Sequence, residues 1–198
     1  DRVALGHLRL SIIDLQSGCQ PIHNEDETLW IIYNGEAFNY VELRRQLEEL
    51  GHRFYTTSDT EVILHLYEQE GPECVKRLNG QFAFAIWDNV KHELFLARDR
   101  VGIRPLHYTI HDGRLIFASE IKSIFAVPGV RRELDPVSLD QIFTVWTVLP
   151  GRTAFRDVHE LPPGHYLRVA RGAVDMKKYW EIPIYSRQEQ LTLPVEAI

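Results

Sequence analysis

Sulfur is scarce in this chain: two cysteines, Cys19 and Cys74, and one methionine in 198 residues, with no CxxC pair. That count excludes a disulfide framework and the cysteine-rich zinc modules, so an apolar core has to hold the fold. Long apolar runs are missing too, since no stretch approaches the ~20 residues that span a bilayer, and nothing reads as a secretory leader. The expectation is a cytoplasmic protein with no membrane contact. Basic clusters are equally rare. The net charge is −6, and Val130-Arg131-Arg132 runs directly into Glu133, which reads as solvated surface. No nucleic-acid partner is expected, because phosphate binding relies on clustered Lys and Arg. The nine histidines are scattered without an HExxH motif, and no metal site is expected. Internal repeats and low-complexity tracts are absent.

What remains is the composition of an ordinary globular domain, 44% hydrophobic and 25% charged. A chain of 198 residues can bury roughly 70% of its unfolded surface, enough for one core. It opens on Asp1 and passes at once into Val3-Ala4-Leu5, so it reads as a piece of something longer. Strand-like runs occupy 3–13, 29–33, 53–57, 81–87, 93–97, 106–110, 115–119 and 165–169. Short polar turns at 89–92 and 111–114 join two pairs of them as hairpins. "QFAFAIWD" alternates small and large apolar residues, as in a strand covered on both faces. Helical periodicity marks 40–50 and 59–70, the second opened by a capping-box pattern, Ser58-Asp59-Thr60-Glu61. A third helix is expected after Pro136. From Ile184 to Ile198 the periodicity fades, and the segment reads as a linker leaving a domain of residues 1–183.

Several polar features sit where core patterning would not put them. Arg9 interrupts "GHLRLSIID". Asn34-Gly35-Glu36 halts the apolar run of "LWIIYNGEAFNY", and the expectation is that the strand ends there. Asp59 opens a helix. Each has a bland reading: an outward-facing strand position, a turn, a helix cap. Together they form what an amino-acid substrate requires. A guanidinium can hold an α-carboxylate bidentately, carboxylates can hold an α-ammonium, and an amide beside a glycine N–H can form an oxyanion hole.

The segments "LGHLRLSIIDL", "YNGEAFNY", "TTSDTEVILHLYEQEG", "RLNGQFAFAIWD", "LFLARDRVGIRPLHY" and "FASEIKSI" resemble, in order and spacing, the glutamine-hydrolysing domain of class II asparagine synthetases. The resemblance runs from Val3 to about Pro183. It implies an α+β fold, the αββα sandwich of N-terminal-nucleophile hydrolases, with two antiparallel sheets flanked by helices. It also implies a site for L-glutamine. Arg9 would take the α-carboxylate, with Leu10, Ser11, Ile12 and Ile13 lining the site. Asn34 and Gly35 would form the oxyanion hole, and Glu36 and Asp59 would bind the α-amino group. Ammonia would then amidate aspartate in a C-terminal synthetase domain of the same protein. No cofactor is expected in this domain; ATP and Mg belong to the synthetase domain, whose SGGxDS-like loop is not in this sequence.

The family's nucleophile is an N-terminal cysteine, and neither Cys19 nor Cys74 matches it. Both read as structural, so the nucleophile is expected ahead of Asp1 and the chain alone is expected to be inactive. Two other readings stay open: a non-catalytic interaction or regulatory domain on the same fold, and the glutaminase domain of a synthetase with a different acceptor. Pairing with a second copy, to cover an exposed sheet edge, is a further expectation.

Overall fold

The structure, a computed structural model, describes residues 3–8, 14 and 17–184. In chain order it runs β1 (Ile22–His23), β2 (Leu29–Ala37), α1 (Tyr40–Glu49) and α2 (Asp59–Glu70). A 3-10 turn (Gly71–Glu73) leads into α3 (Cys74–Arg77), followed by a hairpin of β3 (Gly80–Asp88) and β4 (Glu93–Arg98). Next come the hairpin β5 (His107–His111) and β6 (Arg114–Ala118), then α4 (Ile121–Ile124) and α5 (Pro136–Val145). The short β7 (His159–Glu160) precedes a last hairpin, β8 (His165–Ala170) and β9 (Ala173–Lys178). Two antiparallel sheets result, one of six strands in the order β1-β2-β3-β4-β8-β9 and one of three in the order β6-β5-β7. No helix among the described residues is long and apolar enough to cross a membrane.

The period-2 alternation of the strands creates the layers. Ile31 and Tyr33 of β2, Phe82, Phe84 and Ile86 of β3, and Phe95 of β4 face a core shared with Leu43 and Leu47 of α1 and Val62, Ile63 and Leu66 of α2. The intervening residues, Ile32, Ala83, Ala85, Leu94 and Leu96, face a second core that includes Leu106, Tyr108, Leu115 and Phe117. In "QFAFAIWD" Phe82, Phe84 and Ile86 therefore face the helices, while Ala83, Ala85 and Trp87 face the small sheet. α4 packs beside β5 and β6. This is the expected α+β sandwich, with α1 and α2 as its substantial helical layer.

The joint between the sheets is built on two adjacent charged residues, both almost fully buried. Asp99 accepts backbone N–H groups from Phe82 at 3.2 Å, Val101 at 3.1 Å, Ile103 at 3.0 Å and Arg104 at 3.0 Å. The Arg98 guanidinium donates to the carbonyls of Arg104, Leu161 and Gly102 and pairs with Glu160 at 2.8 Å. A loop between two sheets has no ladder partners of its own, and these side chains supply them.

The structure departs from the sequence expectations in four places. Residues 53–57 form a loop, not a strand, because the Glu61 carboxylate takes the N–H groups of Tyr55 at 2.9 Å and Thr56 at 2.7 Å. For the same reason Ser58 caps α2 through Thr60 N–H, at 3.2 Å, without Glu61 completing a capping box. Residues 3–8 are not a strand, and 9–13 lie outside the described residues. β2 does not stop at Asn34; it continues in register with β3 to Ala37. The tail from 185 onward also lies outside the described residues.

Removing the Asp99 carboxylate would strand four buried or half-buried N–H groups. Asp99→Ala is expected to cost about 3 kcal/mol or more of unfolding free energy, read from urea midpoints, with Asp99→Asn intermediate.

Candidate active site

The outer edge of β2 is where backbone chemistry is left over. Phe82, opposite Gly35, uses both of its backbone groups on Asp99: its N–H reaches Oδ2, and its carbonyl accepts Asp99 N–H at 2.8 Å. The Gly35–Phe82 pair is thus a non-hydrogen-bonded one, and the Gly35 N–H points away from β3. Along that same edge the neighbouring groups are occupied. The Gln20 side chain caps Tyr33, accepting its N–H at 2.6 Å and donating to its carbonyl at 3.1 Å. Ala37 N–H is held by Asp59 Oδ2 at 3.0 Å. Between them, the Gly35 N–H has no partner among the described residues.

Asp59 sits at the first position of α2, where the helix N-terminus favours a carboxylate. It is 4% exposed. Its Oδ2 also accepts the Tyr33 hydroxyl at 3.0 Å, so one oxygen fastens the helix to β2 on both sides of Asn34-Gly35-Glu36. Among the described residues its Oδ1 has only a 3.4 Å contact from Ser58 Oγ, which leaves accepting capacity for a ligand. Burial and the neighbouring Asp59 push the Tyr33 phenol far above its ordinary range, keeping it a donor.

Gly35 has a second reason to be glycine. Its φ is +157°, and a Cβ there would lie 2.0 Å from the Gln81 carbonyl oxygen and 2.7 Å from Phe82 Cα. Gly80, across the ladder, would likewise meet the Glu36 carbonyl oxygen at 2.2 Å. The two strands touch backbone to backbone here. By alternation Asn34 and Glu36 share the face of Ile32, toward the small sheet, and both are half-buried.

Of the nine residues expected at the site, the structure brings four onto adjoining elements: Asn34, Gly35 and Glu36 on β2 and Asp59 on α2. Arg9, Leu10, Ser11, Ile12 and Ile13 lie outside the described residues. Asp14, next in sequence, is anchored beside the α2 entrance, accepting Thr57 N–H at 2.8 Å. Gln20 and Tyr33 escaped the sequence reading. Tyr33 looked like one more apolar strand residue, and an isolated glutamine beside a proline carries no pattern.

Cys74 does not have the setting of a nucleophile. Cys74 is fully buried, and burial together with Glu70 pushes its thiol well above the ordinary range. Cys19 is exposed. A separate group, Glu25, His52, His65 and Glu68, offers donor atoms that all lie within 4.8 Å of one another. It joins side chains from distant parts of the sequence, so no local motif announced it.

Residues 1–180 match the family model of a glutamine amidotransferase domain. Asparagine synthetase (glutamine-hydrolyzing) 3 of Bacillus subtilis (strain 168) is 40% identical over 183 residues, covering 91% of this chain and 30% of that protein. Amidase chyE of Penicillium rubens is 40% identical over 184 residues, covering 91% of this chain and 26% of that protein. Among solved structures, the glutamine phosphoribosylpyrophosphate amidotransferase from B. subtilis, complexed with ADP and GMP, aligns with a TM-score of 0.56 and 25% identity. That alignment covers 81% of this chain and 32% of the other. The chain therefore spans about a third or less of each of these three proteins.

Gly35→Ala is expected to destabilise the fold by about 2 kcal/mol or more, since only backbone could yield to the methyl group; urea unfolding reads this. Under native conditions a thiol reagent is expected to modify Cys19 quickly and Cys74 only after unfolding, as counted by mass spectrometry.

Proposed function

The chain belongs to the glutamine amidotransferase domain family, and from that premise we propose that its site binds L-glutamine and supports hydrolysis of the side-chain amide. The observation that carries this reading is the unpartnered Gly35 N–H, held between two occupied backbone positions on a rigid strand edge. A tetrahedral intermediate needs a donor that is already aimed before charge develops, and a strand fixed by its neighbours meets that need. The Asn34 amide, on the adjacent residue, is the second donor. Glu36 and Asp59 Oδ1 receive the α-ammonium. Arg9 takes the α-carboxylate, with Leu10, Ser11, Ile12 and Ile13 as the wall beside it.

Hydrolysis of an amide also needs a nucleophile and a proton acceptor. Cys74 is buried and held protonated, and Cys19 serves no role in this reading. The attacking thiol is an N-terminal cysteine ahead of Asp1, whose own α-amine accepts the proton. The ammonia released then passes to an ATP- and Mg-dependent synthetase region of the longer protein, with aspartate as the acceptor. Relatives with printed names as different as an asparagine synthetase and an amidase share this domain, so acceptor choice belongs outside it. A cytoplasmic location is part of the same reading.

The discriminating variant is Asp59→Asn. Its amide oxygen can still accept from Tyr33 and Ala37, while its NH2 group replaces the oxygen offered to the ammonium. Glutamine affinity is expected to fall by about 10–100-fold, measured calorimetrically, with little change in thermal stability. In a chain carrying a free N-terminal cysteine, Asn34→Ala is expected to slow ammonia release by ~100-fold or more with a milder effect on binding. The 198-residue chain is expected to bind glutamine without releasing ammonia. Ammonia release that is lost in Cys19→Ser would overturn the assignment of the nucleophile.

A further inference from the structure

The second polar cluster lies apart from the contacts that define the glutamine site, and its donors come from three segments. Glu25 precedes β2, His52 follows α1, and His65 and Glu68 lie one turn apart on α2. His65 Nδ1 is 3.1 Å from Glu68 Oε2 and 3.6 Å from Glu25 Oε2, and His52 Nδ1 is 3.5 Å from the same Glu68 oxygen. Four ligands about 2.0–2.1 Å from a tetrahedral metal stand about 3.3–3.4 Å from one another. These three of the six separations bracket that edge, and all six lie within 4.8 Å.

Three of the four donors are also held from behind, as metal ligands are. Glu25 Oε1 accepts Arg53 N–H at 2.7 Å, and Glu68 Oε1 accepts the Asn24 amide at 3.0 Å. His52 Nε2 meets Gln69 Oε1 at 3.2 Å, and a proton donated there leaves Nδ1 as the nitrogen that can ligate an ion. His65 has no exposed surface. Its Nε2 makes no hydrogen bond; the facing Glu61 Oε1 stands 3.6 Å away, beyond hydrogen-bond reach. Three carboxylates thus surround one buried imidazole, and among the described residues none of them pairs with a Lys or Arg side chain.

We propose that Glu25, His52, His65 and Glu68 form a tetrahedral structural site for a zinc-class divalent cation. Two imidazoles with two carboxylates suit Zn2+ or Co2+ better than Mg2+ or Ca2+, which prefer all-oxygen shells. With four protein ligands no position is left for substrate, so the ion's work is to fasten the loops carrying Glu25 and His52 to α2. The Glu25 and Glu68 side chains are 36% and 31% exposed, which provides the way in.

The test uses the chelator-stripped 198-residue chain without glutamine, titrated with Zn2+ by calorimetry and with Co2+ by visible absorption. Expected are one saturable Zn2+ per chain, the intense visible bands of tetrahedral Co2+, and a rise in Tm that a chelator reverses. His52→Ala and Glu68→Gln, at the accessible side of the cluster, are each expected to weaken Zn2+ binding by about 10-fold or more, with circular dichroism unchanged. Absence of saturable binding would overturn the proposal. So would affinity undiminished in the double variant His52→Ala/Glu68→Gln, which would mark the ion as adventitious.

Discussion

Asp99 determines which way the backbone of β3 faces at Phe82, and from that one commitment the rest follows. By taking both the N–H and the carbonyl of Phe82, it turns the Gly35 N–H outward on the next strand. By collecting the N–H groups of Val101, Ile103 and Arg104, it folds the crossover that brings the small sheet under the large one. One buried aspartate, through its carboxylate and its backbone N–H, therefore links the layering of the sandwich to the orientation of the proposed oxyanion donor, although the two have no sequence pattern in common.

The same device recurs wherever the chain leaves regular structure. Asp59 satisfies Ala37 N–H at the end of β2, Glu61 satisfies the loop that enters α2, and the Gln20 side chain satisfies both backbone groups of Tyr33. Burying a carboxylate is unfavourable unless it is hydrogen-bonded. Here each one meets backbone donors that would otherwise be orphaned, so two costs offset each other. The result is a strand edge with little freedom to rearrange, which is the condition under which fixed dipoles assist a reaction.

This also explains how far the sequence could be read. The strands β2, β3 and β4 and the helices α1 and α2 were legible, because periodicity reports burial and these elements form the core. Asn34, Gly35, Glu36 and Asp59 were legible as departures from that periodicity. The run 53–57 misled because its composition suits a strand, and only Glu61, further along, diverts its backbone. β2 was cut short because Asn-Gly signals a turn, whereas here glycine serves the close contact with Gln81. β9 was missed because all six of its residues are exposed and leave no apolar rhythm. The pairing of His52 with His65, whose rings lie 5.0 Å apart, depends on how α1 and α2 pack.

The exposure of β9 has a meaning for the sheet as a whole. A free sheet edge is a template on which another polypeptide can grow, and a six-stranded sheet has two such edges. At one end β1 is only two residues long, too brief to nucleate an added strand. At the other, β9 carries Asp175, Lys177 and Lys178, with Lys178 engaged by Glu181. A chain adding there would have to strip water from those charges before gaining a ladder. Both edge strands are thus poor templates for an added strand.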